Sequence, residues 1–158
     1  EAFPILGGDA LDQSIVEDFC DYSEDLEVQD RCLEVLHMVV AKVYLVSEDR
    51  QIEEFADYCA DASSKRIAEN CIKHGAIKVL QQDPNLLNKT LKICERSQAL
   101  GYGDVCLEEI SVYFPTTYLV YNEPALGEYC NGLPSPWDQV CLKTKDSWID
   151  EQRELYQD

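Results

Sequence analysis

The sequence predicts an all-α protein of four tandem helix-turn-helix units of about 36 residues, each stapled by a local disulfide and stacked as a short α-solenoid. Two observations carry this prediction: the even spacing of the cysteines and the helical periodicity of the residues around them. Within four successive pairs, the second cysteine follows the first by 12, 12, 12 and 11 residues. From pair to pair, the first cysteine advances by 39, 35 and 36 residues. The pairs are Cys20 and Cys32, Cys59 and Cys71, Cys94 and Cys106, and Cys130 and Cys141.

Other positions repeat together with the cysteines. The residue before each first cysteine is bulky, and the residue after each second cysteine is aliphatic, as expected for one face of a helix. An acidic or amide residue two positions before each second cysteine predicts the first turn of a helix, where free backbone N–H groups favour such a side chain. These three sets are Phe19, Tyr58, Ile93 and Tyr129; Leu33, Ile72, Leu107 and Leu142; and Asp30, Glu69, Asp104 and Gln139.

Each unit is predicted to contain a helix A, a turn between its two cysteines, and a helix B. Turn-forming residues occupy the intervals within the pairs, as in "QALGYGD" and "NGLPSPWD". Between units, Pro84 and Pro115 are predicted to break the helices. Trp137 and Trp148 are predicted to close the last unit. We assign 1–158 to a single domain, with units at roughly 10–47, 48–83, 84–121 and 122–158.

Antiparallel helices joined by a short turn bring the two cysteines of a pair close enough for a disulfide. Pairing between sequence neighbours would close each turn, although eight cysteines allow 105 connectivities. With these features the chain resembles the tetratricopeptide class of helical-hairpin repeats, specifically the cysteine-rich bacterial members with one disulfide per hairpin. The resemblance covers residues 12 to about 150, but the small-residue signature of that class is not kept. Insect odorant-binding carriers share the size and acidity, but this chain lacks their pair of cysteines separated by three residues.

Charge restricts the classes of partner. The chain has 31 acidic and 13 basic residues and a formal net charge of -18. Such a charge repels phosphate backbones and anionic lipid surfaces, so we expect no nucleic-acid partner and no membrane partner. The longest apolar stretch, 35–46, is shorter than the roughly 20 residues that span a bilayer. The scattered acidic residues predict a solvated surface, with a basic partner as the alternative.

The cysteine content predicts an oxidising compartment, either a secretory pathway or a periplasm. The chain opens at Glu1 without Met or an apolar leader, so we expect that a signal peptide has been removed. The triplet "NKT" makes Asn88 a glycosylation acceptor only in a eukaryotic secretory pathway.

Catalytic and metal-binding patterns are weak in this sequence. The only two histidines, His37 and His74, fall on predicted B helices without a nucleophile motif nearby. Oxidised cysteines would leave no thiol for attack or for zinc, and the acidic stretches lack the oxygen-ligand pattern of a calcium loop. We therefore predict no catalytic residue, no metal, no cofactor and no enzymatic activity.

Recognition is the function that the sequence favours. Aromatic residues crowd 110–129, and we predict a binding surface there, because such side chains combine large contact area with a polar tip. The alternative for these residues is core packing beside Pro115. The predicted function is a non-enzymatic, secreted or periplasmic module that binds an extracellular protein or peptide. The alternative is an extracellular carrier with a helical pocket for a small apolar or amphipathic ligand. The predicted binding residues are Tyr113, Phe114, Tyr118 and Tyr121.

Overall fold

A computed structural model describes the backbone of residues 12–119 and 123–155, with the side chains of residues 12–117 and 124–148. Over these ranges the chain is helical and contains no strand, which confirms the all-α class. A 3₁₀ turn, Pro84–Leu86, leads into α5, and two π-helical segments, Glu109–Tyr113 and Pro115–Leu119, extend α6. The helices are α1 Gln13–Cys20, α2 Leu26–Val46, α3 Glu54–Ala60, α4 Lys65–Gln82, α5 Leu87–Ala99, α6 Val105–Glu108, α7 Glu123–Asn131 and α8 Trp137–Leu155.

Successive helices form four hairpins, and a disulfide bridges each one across its turn. The predicted local pairing is confirmed: each bridge joins two cysteines 11 or 12 residues apart, with Cα–Cα distances from 5.1 to 5.6 Å. Hairpin 1 is α1–α2, hairpin 2 is α3–α4, hairpin 3 is α5–α6 with its π-helical extension, and hairpin 4 is α7–α8. The bridges are Cys20–Cys32, Cys59–Cys71, Cys94–Cys106 and Cys130–Cys141.

Neighbouring hairpins pack through equivalent helices. The second helices of hairpins 1 and 2 pack together, α2 on α4, and the first helices of hairpins 2 and 3 pack together, α3 on α5. One buried cluster extends through these contacts from Val40 on α2 to Cys141 on α8. A smaller cluster of Val16, Cys20 and Leu33 holds α1 against α2. The regular solenoid stacking and the repeat length of about 36 residues stay predictions.

The second helices of hairpins 1 and 2 begin earlier than predicted. Asp25 caps α2 by accepting the Glu27 N–H at 2.9 Å, and Ser64 caps α4 by accepting the Ile67 N–H at 3.3 Å. These oxygens satisfy the free donors of the first turn. Asp30 and Glu69 therefore lie in the second turn of their helices, where they pair with Arg66 and Lys65. Placing all four of these acidic or amide positions in a first turn was wrong for these two helices.

Pro115 does not break the helix, contrary to the sequence prediction. The backbone stays helical but widens into π turns on both sides of this residue. Proline lacks the N–H that an α-helical turn requires, and a π turn accommodates its ring without ending the helix. The Thr116 hydroxyl shares its one proton between the carbonyl oxygens of Val112 at 3.0 Å and Tyr113 at 3.1 Å. This side chain therefore donates to carbonyls in the turn before the proline.

A glycine controls how closely hairpin 2 closes. Gly75 on α4 faces the ring of Phe55 on α3, and a Cβ at position 75 would overlap the ring edge. Phe55 is fully buried and stacks on Tyr58, with ring centroids 5.9 Å apart. The ring has no free space into which to move, so the close approach of α3 and α4 depends on this glycine.

We expect Gly75→Ala to destabilise the protein by about 1–3 kcal/mol, because the methyl group overpacks the Phe55 site. Gly127→Ala on α7 is the matched control, since no atom lies near its added Cβ. That control should gain about 0.5–1 kcal/mol, the helix preference for alanine. Urea unfolding of both variants measures the difference, and equal stability of the two would contradict the packing account.

We expect Cys59→Ala/Cys71→Ala to cost more stability than Cys20→Ala/Cys32→Ala. Both changes open a loop of the same length, worth roughly 3 kcal/mol in the chain-entropy model. Cys59 and Cys71 are fully buried in the main cluster, so their loss also leaves a cavity worth about 1 kcal/mol more. Urea unfolding is the measurement. A larger loss of stability in Cys20→Ala/Cys32→Ala than in Cys59→Ala/Cys71→Ala would contradict the cavity argument.

Candidate functional site

The predicted aromatic surface is only partly described. Tyr113 is 49% exposed, whereas Phe114 is buried and packs on Tyr129 with ring centroids 5.3 Å apart. Phe114 therefore belongs to the core, because the helix at 109–119 turns its side chain towards α7. The side chain of Tyr118 and the whole of Tyr121 lie outside the described residues. A binding role for the three tyrosines stays a prediction.

A second group of exposed apolar side chains, which sequence reasoning did not single out, lies on hairpin 1. We call Ile15, Phe19, Tyr22 and Leu26 the first-hairpin patch; they are 42, 48, 71 and 65% exposed, respectively. Ile15 and Phe19 are four residues apart and share one face of α1. Tyr22 and Leu26 follow in the turn and at the start of α2. Clusters of exposed apolar side chains mark interaction surfaces more often than single exposed apolar side chains do.

The exposure of Phe19 is specific to hairpin 1. In the other three hairpins the residue before the first cysteine is buried, and these residues are Tyr58, Ile93 and Tyr129. Tyr58 packs on the second helix of the preceding hairpin, where its ring lies 6.4 Å from His37 and 6.2 Å from Tyr44. Tyr129 also packs on the second helix of the preceding hairpin, since its hydroxyl donates to the carbonyl of Ile110 at 2.7 Å. Within the described ranges, the main helix contact of α1 is α2, and no preceding second helix covers Phe19.

Ile15 and Tyr22 are also unusual for their positions. The residues equivalent to Ile15, counted from the first cysteine, include the exposed charges Glu54 and Lys89. Those equivalent to Tyr22 are Asp61, Arg96 and Gly132, and all three are exposed. In hairpins 1 to 3 the fold thus puts these two positions at the surface, and only hairpin 1 fills both with large apolar side chains. Counting residues from the cysteines could have revealed this difference in the sequence.

An acidic cleft lies beside the first-hairpin patch. It encloses about 330 Å³ between α1, the start of α2 and the turn of hairpin 2. Glu17 fixes one wall: its carboxylate accepts the Ser63 N–H at 2.9 Å and also bonds the Ser63 hydroxyl. The cation among the lining residues is Arg66, which already pairs with Asp30. The lining residues are Glu17, Asp18, Cys20, Asp21, Gln29, Leu33, Ser63, Arg66 and Ile67.

The charged side chains of the segment that carries the patch have one sign. Residues 12–30 hold eight carboxylates and no lysine, arginine or histidine. Ser14 hydrogen bonds lower the pKa of the exposed Asp12 carboxyl, so that this charge persists under mildly acidic conditions. A solvent-exposed surface of this kind attracts cations and cationic side chains over about a Debye length, ~8–10 Å. The patch is therefore apolar at its centre and negative around it.

A buried polar contact attaches α1 to α2 beneath the patch. The Nε2 atom of His37 lies 3.0 Å from Nε2 and 3.2 Å from Oε1 of the Gln13 amide, and both side chains are fully buried. The same amide donates to Glu17 at 3.2 Å. The Nδ1 atom of His37 has no protein partner. Burial first, and then the nearby His74, lower the pKa of His37 to about 4.

The remaining sequence candidates occupy ordinary positions. Asn88 is exposed on α5, but Thr90 of the same triplet is buried and donates to the Leu86 carbonyl at 3.3 Å. A cleft of about 420 Å³, which opens to solvent between hairpins 3 and 4, includes Leu91 and Trp137. No group of three or more potential metal ligands occurs in the described part of the chain. None of the described helices is long and apolar enough to cross a membrane.

Comparisons with protein-family models, with curated proteins and with solved structures find no match to this chain. The tetratricopeptide-like resemblance therefore stays a prediction from the sequence.

We expect the stability conferred by neutral His37 to be lost as the pH falls. The unfolded histidine titrates near 6.5 and the folded one near 4, so the unfolded state binds more protons between these values. Stability is fully present above pH 6.5 and declines below it by up to about 1.4 kcal/mol per pH unit. Between pH 6.5 and pH 5, we expect the free energy of unfolding of the wild type to fall by about 2 kcal/mol more than that of His37→Gln. Urea unfolding at the two pH values is the measurement.

His74→Gln is the control for loss of an imidazole. His74 is partly exposed and lies 3.8 Å from the Glu34 carboxylate, which opposes the effect of burial on its pKa. We expect this variant to keep most of the pH dependence. If the free energy of unfolding of His37→Gln falls with pH as steeply as that of the wild type, the assignment of the pH dependence to His37 is contradicted.

Proposed function

We propose that this protein is a non-enzymatic, extracytoplasmic interaction module whose first-hairpin patch binds a protein or peptide. The observation that carries the proposal is the exposure of Phe19 at a position that is buried in the other three hairpins. An apolar side chain of that size left in water is stabilised when a partner covers it, at about 25 cal/mol for each Å² removed from water. The neighbouring Ile15, Tyr22 and Leu26 enlarge the same surface.

The four disulfides support an oxidising compartment, because such bridges persist in secreted and periplasmic proteins and are rare in reducing ones. All eight cysteines are bonded, so none offers a thiol for catalysis or for metal binding. Secretion remains part of this proposal.

The arrangement of the histidines supports a non-enzymatic role. His37 is sealed in the core and held by Gln13, so it has no route to a substrate in solution. His74 lies beside Glu34, and a general base there would also need a nucleophile or a bound substrate in reach. The carrier alternative has less support, because the clefts between the helices open to solvent and the core is filled by side chains.

Peptide display against the immobilised, oxidised protein tests the proposal. We expect selected peptides to bind the wild type and to bind Phe19→Ser/Tyr22→Ser about tenfold more weakly or worse, because large aromatic anchors dominate interface energies. Val46→Ser, at another exposed apolar side chain, is the matched control and should bind like the wild type.

Two results of the display experiment would contradict the proposal: no peptide is enriched, or the enriched peptides bind Phe19→Ser/Tyr22→Ser as well as the wild type. Loss of binding in Tyr113→Ser instead would move the contact surface to the aromatic residues of 110–129. Turnover of substrates in a hydrolase panel by the purified protein would contradict the non-enzymatic part.

A further inference from the structure

We propose that the partner of the first-hairpin patch is a basic amphipathic α-helix, which packs its apolar face on Phe19 and its cationic side chains against the surrounding carboxylates. This inference rests on the proposed function and specifies the class of partner. Two observations carry it: helices cover the equivalent residues in other hairpins, and the charged residues around the patch are negative. The same charges also disfavour the other possible occupants of the patch.

The helical form of the partner follows from what covers the equivalent residues. Tyr58 is covered by α2, and Tyr129 is covered by the helical segment that includes Ile110 and Phe114. In both cases the side chain lies against the second helix of another hairpin. The outer face of α1, with Ile15 and Phe19 four residues apart, offers the same kind of ridge to a helix. A partner helix would therefore occupy the place that a second helix takes elsewhere in this molecule.

The basic character of the partner follows from charge complementarity. Residues 12–30 contribute eight negative side chains and no positive one, and Asp18, Asp21 and Glu24 are exposed among the patch residues. An acidic or neutral helix would bury apolar surface here but gain no charge contact. A helix with Lys or Arg beside its apolar face gains both, and long-range attraction speeds its association.

The other occupants are disfavoured by the same charges. A second copy of this chain would bring two sets of eight carboxylates together, and like charges across an interface oppose association. A lipid surface would accept the apolar side chains, but anionic headgroups would repel the rim. A cationic protein segment satisfies both parts of the patch.

Model peptides test the partner class directly on the oxidised, full chain. The probe is an amphipathic helix of about 18 residues made of Leu and Lys, a length of five turns. Its controls are the same helix with Glu in place of Lys and a Leu–Lys peptide with two central prolines, which cannot form the helix. We expect the Leu–Lys helix to bind in calorimetry and neither control to bind. Raising the salt from about 0.05 M to about 0.5 M should weaken binding about tenfold or more.

Variants separate the local charge from the net charge of the protein. Asp18→Asn/Asp21→Asn/Glu24→Gln should weaken the Leu–Lys helix about tenfold. The matched control Glu48→Gln/Asp49→Asn/Glu108→Gln removes the same charge from other exposed positions and should change the affinity less than about threefold. Circular dichroism of both variants checks that the fold is intact.

The inference is overturned if the Leu–Glu helix binds equally well, or if both sets of neutralised variants lose affinity alike. It is also overturned if ultracentrifugation shows a dimer that Phe19→Ser/Tyr22→Ser abolishes, or if zwitterionic vesicles bind in a patch-dependent way. Display peptides that need the patch but carry no excess of Lys or Arg would refute the basic partner and leave the proposed function standing.

Discussion

The short disulfide loop at the turn of each hairpin is the constraint on which the rest of the structure depends. Helices as short as α1, α3 and α7, with 8, 7 and 9 residues, do not persist alone in water. A bridge between residues 11 or 12 apart holds each short first helix against a second helix. Each bridge thereby lowers the entropy cost of bringing the two helices of its hairpin together.

The packing between hairpins decides which residues face water. Tyr58 and Tyr129, which precede a first cysteine, are covered by the preceding hairpin, as Tyr58 is by α2. At Phe19 no described helix provides that cover, so the same position becomes an exposed aromatic. The acidic residues around it would repel those of a second copy of the chain. The position before the first cysteine, which is buried in the other hairpins, is therefore part of a candidate recognition surface in hairpin 1.

Sequence reasoning failed where a residue's role depends on its neighbours in space. Phe114 is aromatic and lies beside a proline, which suggests a surface bend, but the π-helical backbone at Pro115 keeps the chain helical and buries this ring on Tyr129. Asp30 lies near a cysteine at a helix start, but Asp25 takes the capping role and leaves Asp30 to pair with Arg66. At Pro115 a π-helical backbone replaced the predicted break, and at Asp30 a cap five residues earlier took the predicted role.

The sequence by itself determined the all-α class, the four hairpins and the nearly equal spacing of the two cysteines in each hairpin. These features depend on local spacing and on helical periodicity. It also determined the charge, and with it the uniformly negative stretch before Arg31. Only the tertiary structure decided that Phe19 is exposed whereas Tyr58, Ile93 and Tyr129 are buried. The physical reason is that the burial of a side chain depends on what packs against it. Four residues that each precede a first cysteine carry no local sign of which one lacks a covering helix.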